Sequence, residues 1–308
     1  DVPVRCARGI ARSSSAVAAE IATALALARG MSRHALVHVV HGSKTGLVLP
    51  ELEDIDRLRR EWGEGATFVI DACQARITTE ALHAYLNRDA IVFLTGSKFM
   101  GGPPFNGFAI IPAGVAERAG TLPPGLAGVF SRIEWPRGWP GRETLPDESN
   151  TGLWLRFEAS IFELERLQAL PMAAVERVIA AFQAALRDGL ATPLGFSFVR
   201  PSPPGEDDEE IEHPIEMRTL ATLDVSRFPG ACSFEDAQRL HRKLALGGIR
   251  LGQPARCVRN GGPEWGGTLR VGLSMPQIVA FAKLDEADLD RRLVGDMERI
   301  AGALRAAA

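Results

Sequence analysis

The sequence is short of the features that mark several protein classes. It has only four cysteines, and Cys6, Cys73, Cys232 and Cys257 form no C-x-x-C pair. That scatter argues against a zinc knuckle, a thioredoxin-like site or a disulfide scaffold, and so few cysteines fit a reducing cytoplasm. No excess of charge is present either: 35 Lys and Arg stand against 38 Asp and Glu, a formal net charge of −3. Nothing in that balance calls for a nucleic acid or an anionic membrane as partner. Long hydrophobic runs are also missing. The stretch from Ala16 to Ala28 is interrupted by Glu20 and is too short to span a bilayer. Arg5, Arg8 and Arg12 precede it, but its small residues at helical spacing read as a buried amphipathic helix, with no convincing cleavage site. Internal repeats are absent.

What remains is ordinary and globular. Apolar residues make up 46% and charged residues 24% of 308 positions, enough to build a large core, and the length suggests two domains at ~150 residues each. Up to Pro112 the chain alternates helix-like and strand-like segments. Helices are expected at Ala16–Arg29, Leu52–Trp62 and Thr78–Leu86. Buried strands are expected at Ala35–Val40, Thr67–Ile70 and Ala90–Leu94, with a fourth at Phe108–Ile111. Such alternation points to an α/β layer with a mostly parallel sheet. Gly114 to Asn150 reads as a long irregular connection, and Leu153 to Leu190 as a helical hinge broken by Pro171. Beyond it, strands at Phe196–Val199, Arg218–Asp224 and Gly248–Leu251 and helices at Phe234–Leu246 and Glu286–Ala306 suggest an α+β unit. Pro201 to Pro214, with six acidic residues, reads as a solvated loop.

Three strand ends carry the unusual residues, and in a parallel sheet ligands gather at the carboxyl ends of the strands. After the first strand comes HGSKTG, His41 to Gly46. After the second comes DACQAR, Asp71 to Arg76. After the third comes TGSK, Thr95 to Lys98, followed by GGPPFNG, Gly101 to Gly107. Asp71 directly follows TFVI, where an unpaired charge is costly. Lys98 follows AIVFL, and a lysine held against apolar strands can be kept neutral and nucleophilic. Either residue alone reads as a helix cap or a surface lysine. Together, beside Ser, Thr and Gly clusters suited to a phosphate, they read as a site.

These motifs resemble the pyridoxal-phosphate enzymes of fold type I, and within them the class V aminotransferase and cysteine desulfurase group. The resemblance runs from about Val2 to the C-terminal helix and is densest from Val39 to Gly107. It implies an α/β fold, a mostly parallel sheet with helices on both faces, in a large cofactor-binding domain over 1–170. A helical hinge and a smaller α+β domain would follow over 171–308. By the resemblance Lys98 would carry pyridoxal 5'-phosphate as a Schiff base and act as acid and base. Asp71 would pair with the pyridinium nitrogen, and Gln74 would hydrogen-bond the ring's phenolic oxygen. Thr95 and Ser97 would hold the phosphate, with Gly96 allowing close approach, and Ser43 would lie near the ring. Arg270, in GTLRVGLS from Gly267 to Ser274, matches the arginine that grips the substrate carboxylate. Glu148 and Ser149 match a stretch that reaches into a neighbouring subunit's site, which implies a homodimer with shared active sites.

The pattern departs from the family in two places. The Gly/Thr-rich phosphate loop and the residue that stacks on the ring belong to a part of the family preceding Asp1 to Arg12. On the loop from Gly248 to Pro254, the desulfurase cysteine aligns with Ala255, and Cys257 stands two residues on. Three readings follow. The leading one is a cytoplasmic enzyme acting on an amino acid or related primary amine, most like an aminotransferase. The second is a cysteine desulfurase or C–S lyase using Cys257. The third is a non-catalytic fold type I module serving as a dimerising or partner-binding subunit.

Overall fold

Ser13 opens the first helix by accepting a hydrogen bond from Ala16 N at 3.4 Å, and α1 runs Ser14–Gly30 with Val17, Ala18, Ile21 and Leu25 buried. This is a computed structural model, and it describes residues 1–200 and 218–308. The expected acidic loop Pro201–Pro214 lies outside the described residues. β1, Ala35–Val40, leads to α2, Leu52–Trp62, whose Ile55, Leu58 and Trp62 recur at helical spacing on the buried face. β2 (Ala66–Asp71), α3 (Thr79–Leu86, capped by Thr78), β3 (Ile91–Thr95) and β4 (Gly107–Ile110) complete the first sheet. Its order is β1-β2-β3-β4; the first three strands are parallel and β4 is antiparallel.

Phe68, Val69 and Ile70 are all buried, which is why β2 reads as an unbroken apolar run. Burying each such side chain contributes about 1.5–3 kcal/mol. β1 corrects its expected burial: it is an edge strand of the described sheet, with Leu36 66% and Val40 45% exposed.

The connection from Gly114 to Asn150 holds only single 3-10 turns and one helical turn at Ala113–Ala116. α4 (Thr151–Gln168) and α5 (Met172–Leu186) flank Pro171, as the break in periodicity predicts. A second, antiparallel sheet follows: β5 (Ser197–Phe198), β6 (Leu220–Asp224) and β7 (Thr268–Gly272). Around it stand α6 (Phe234–Leu246), α7 (Met275–Phe281) and α8 (Glu286–Ala307). The expected strand at Gly248–Leu251 does not form. That stretch is loop, ending in a single bridge from Gly252 to Arg270 of β7. Among the described residues no single helix is long and apolar enough to cross a membrane.

Two hydrophobic cores result. One lies under the first sheet and includes Val39, Ile55, Phe68, Ile70 and Val92. The other joins the second sheet to α5, α6 and α8, and also takes in Ala75, Phe99 and Met100 from the loops of the first sheet.

Candidate active site

Register decides what meets at the sheet edge. Val40 pairs with Asp71, and Asp71 pairs with Phe93, so the three parallel strands end together and their loops emerge side by side. There they line an open cavity of about 910 Å³, bordered also by the N-terminal segment and by the loop before β7. Ser43, Asp71, Gln74 and Lys98 all line it, with Ala255 and Cys257 from that loop. The volume falls in the range of small-molecule and cofactor pockets.

Asp71 Oδ1 accepts a hydrogen bond from Cys73 N at 2.9 Å, and Oδ2 lies 3.8 Å from Nε2 of His38 on β1. Burial pushes this carboxyl up, but the Cys73 hydrogen bonds with the nearby His38 and Lys98 charges outweigh it, so the net direction is down. Asp71 is therefore an anion facing the cavity. Sequence patterning missed His38, which two-residue alternation places on the same side of β1 as Val40, the register partner of Asp71. Cys73, beside Asp71, is kept protonated: burial and then the Asp71 carboxylate push its thiol up to about 11.

Lys98 is exposed in the cavity rather than held against the apolar strands. Its loop is fixed from beneath. Gly102 N donates to Gly96 O at 2.8 Å, and Gly96 N donates to Asn106 O at 3.0 Å. Met275 N donates to Phe99 O at 2.7 Å, tying the residue after Lys98 to the second core. Ser160 of α4, fully buried, fills the space beside Gly96 and Gly102, where any side chain at either position would collide with it. No local sequence signal points to Ser160.

Thr95 and Ser97 do not line the cavity. Their hydroxyls bond each other at 2.9 Å, and Thr95 Oγ1 donates to Asn106 O at 2.5 Å, so both serve the turn that presents Lys98. Ser43 has φ 21°, and its hydroxyl accepts from Thr45 N at 3.0 Å. Gln74 accepts from Arg76 Nη1 at 3.2 Å.

Arg270 is buried on β7 and is not among the residues that line the cavity. Its Nε donates to Gln253 O at 2.6 Å, and Gly252 packs on its side chain, where a Cβ would clash. Burial lowers its pKa and the nearby Cys257 raises it, the first effect winning. Ala255 N and O both bond Thr268 Oγ1, at 2.7 and 2.8 Å. Cys257 lines the cavity, yet burial pushes its thiol up to about 11. Glu148 and Ser149 are exposed.

No family profile matches the chain, and no curated protein matches its sequence. Among solved structures, a cysteine desulfurase from Thermococcus onnurineus superposes with a TM-score of 0.53 at 18% identity, covering 96% of this chain and 64% of that one. A ureidoglycine–glyoxylate aminotransferase from Bacillus subtilis superposes with a TM-score of 0.53 at 15% identity, covering 98% of this chain and 70% of that one. At such identities the likeness is one of fold, and it is the expected one: an α/β fold of type I, its mostly parallel sheet flanked by helices. The chain spans less than two thirds of the length of the desulfurase it matches.

Proposed function

We propose that the chain is a pyridoxal-phosphate-dependent enzyme of the class V aminotransferase type, acting on an amino acid or related primary amine. The observation that carries this reading is the convergence of Ser43, Asp71, Gln74 and Lys98 on one cavity at the carboxyl ends of three parallel strands. The cavity suits the cofactor in size, an ionised Asp71 faces it, and a lysine amine stands in electrostatic reach of that carboxylate. Bound there, pyridoxal phosphate would supply an electron sink for bonds at the substrate's α-carbon.

The residues divide the remaining work. Asp71, kept anionic, would hold a proton on the ring nitrogen. Gln74 would hold the ring's phenolic oxygen and Ser43 the ring's edge. Lys98 Nζ would anchor the cofactor, then take a proton from the α-carbon and return it, as its exposed position on the wall permits. Arg270, once its Nη groups turn to the cavity, would grip the substrate carboxylate with two parallel bonds. Thr95 and Ser97 would assist the phosphate only if their turn opened toward it. A cytoplasmic homodimer, with Glu148 and Ser149 offered to the neighbouring site, belongs to the same reading.

Sulfur transfer from cysteine is the second reading, and it is favoured by the place of Cys257 on the cavity wall. A thiol pushed up to about 11 is almost wholly protonated at neutral pH, which makes transamination the better reading.

The test is to incubate the protein with pyridoxal phosphate, reduce it with borohydride and map the adduct by peptide mass spectrometry. A pyridoxyl group on Lys98, absent from Lys98→Ala, is expected. A folded protein that gains none at Lys98 overturns the reading and leaves the non-catalytic module in its place.

A further inference from the structure

The same cavity carries a second group of side chains that the proposed chemistry does not use. Arg5 comes from the N-terminal segment, Lys44 from the loop after β1, and Arg256 and Arg259 from the loop before β7. Asp71 is the one carboxylate lining the cavity among the described residues, and it is shared with His38 and Lys98. Arg256 stacks over Phe234 and has Glu235 at 3.7 Å. The other three have no carboxylate partner among the described residues.

Arg5 and Arg259 are nevertheless fixed in place. Arg5 Nη1 donates to Gly9 O at 2.9 Å, and Nη2 donates to Thr45 Oγ1 at 3.0 Å and Arg200 O at 3.4 Å. Arg259 Nε donates to Ala7 O at 3.2 Å, and its guanidinium lies 3.4 Å over the Trp265 ring. That bond to Ala7 ties the loop before β7 to the very segment that bears Arg5. Every acceptor is neutral. Burial of Arg5 lowers its pKa, with Cys257 and Cys6 opposing it, as expected of a cation partly stripped of water. Fixed cations in a concave, partly dry site concentrate anions there.

We propose that Arg5, Lys44 and Arg259 form an oxyanion site for the distal end of the substrate. The substrate class is thus an acidic amine, bearing a carboxylate or phosphate beyond the carboxylate assigned to Arg270. This deepens the proposed function and rests on it. The cofactor's own phosphate offers the same chemistry, but it carries only about −1.5 to −2 charge at neutral pH, less than three cations that have no carboxylate partner among the described residues.

The experiment is calorimetry on the full chain without cofactor, with glutarate and butyrate as probes, beside an absorbance titration with pyridoxal phosphate. Glutarate is expected to bind more tightly than butyrate. Lys44→Gln and Arg259→Gln should each weaken glutarate about tenfold, the loss of one charge-assisted contact, while butyrate and pyridoxal phosphate binding hold. Arg259→Lys should restore part of it. Lys44 is exposed, so its variant reads the site without a folding change. Two results overturn the proposal: variants that weaken pyridoxal phosphate and spare glutarate, which places the cofactor's phosphate there, or glutarate binding no tighter than butyrate. Neither result depends on whether Lys98 forms its adduct.

Discussion

Arg76 and Arg270 lie buried within electrostatic range of each other, and neither has a carboxylate partner among the described residues. Arg76 is held instead by neutral groups: Nε donates to Thr219 Oγ1 at 2.9 Å, Nη2 to Leu273 O at 3.0 Å, and the guanidinium lies 4.7 Å over Phe99. Burial first, and Arg270 second, bring its pKa down to about 10. It thereby ties the loop bearing Asp71 to the second sheet. Arg76→Ala should cost about 3 kcal/mol, from lost packing and the loss of its hydrogen bonds to Thr219, Leu273 and Gln74. Urea denaturation checks this, and a loss near zero would show that relief of repulsion from Arg270 outweighs the bonds.

The Asp71 carboxyl is held below its ordinary range, so it binds a proton less readily in the fold than in the unfolded chain. Its contribution to stability is full above the unfolded pKa of about 3.9 and fades as pH falls through the lower folded value. Asp71→Asn should therefore melt below wild type at neutral pH, with the gap closing only in strong acid. Thermal melts across that pH range test it; a gap that widens toward acid would contradict the lowered pKa.

Gly96 has no room for a methyl group, because a Cβ there meets Ser160 Oγ and Asn106 Nδ2. Gly96→Ala should destabilise the protein by about 1–3 kcal/mol through overpacking. It should also lower the yield of borohydride-trapped adduct on Lys98, since the loop must shift. Ser160→Gly in the same chain should recover part of both readouts.

The thiols should react in a set order. Cys73 and Cys257 are pushed up to about 11, chiefly by burial, whereas backbone hydrogen bonds from Arg8 bring Cys6 down. Brief treatment with iodoacetamide near neutral pH should label Cys6 well ahead of Cys257. Peptide mapping reads the order directly. Rapid labelling of Cys257 would revive sulfur transfer as the function.

Elements with a strong local pattern were legible in the sequence. Leu52–Trp62 and Phe234–Leu246 form as helices over those same residues, because their apolar spacing and end signals are local. The apolar runs that become β1, β2 and β3 were equally plain, and with them the placing of Ser43, Asp71 and Lys98 at one sheet edge. Tertiary structure decided the rest. Gly248–Leu251 looks like a strand but pairs with no strand among the described residues until Gly252 meets Arg270. Thr95 and Ser97 stand beside Lys98 in the sequence, and only the fold sets their hydroxyls against each other and Asn106 O. Arg5, Arg259 and Lys44 become one wall only because the N-terminal segment meets the loop before β7 over the sheet edge. Local spacing records which residues share a helix face or a strand side. It carries no trace of contacts such as Asn106 with Ser160, 54 positions apart, or Arg76 with Thr219, 143 apart, which exist only once the chain has folded.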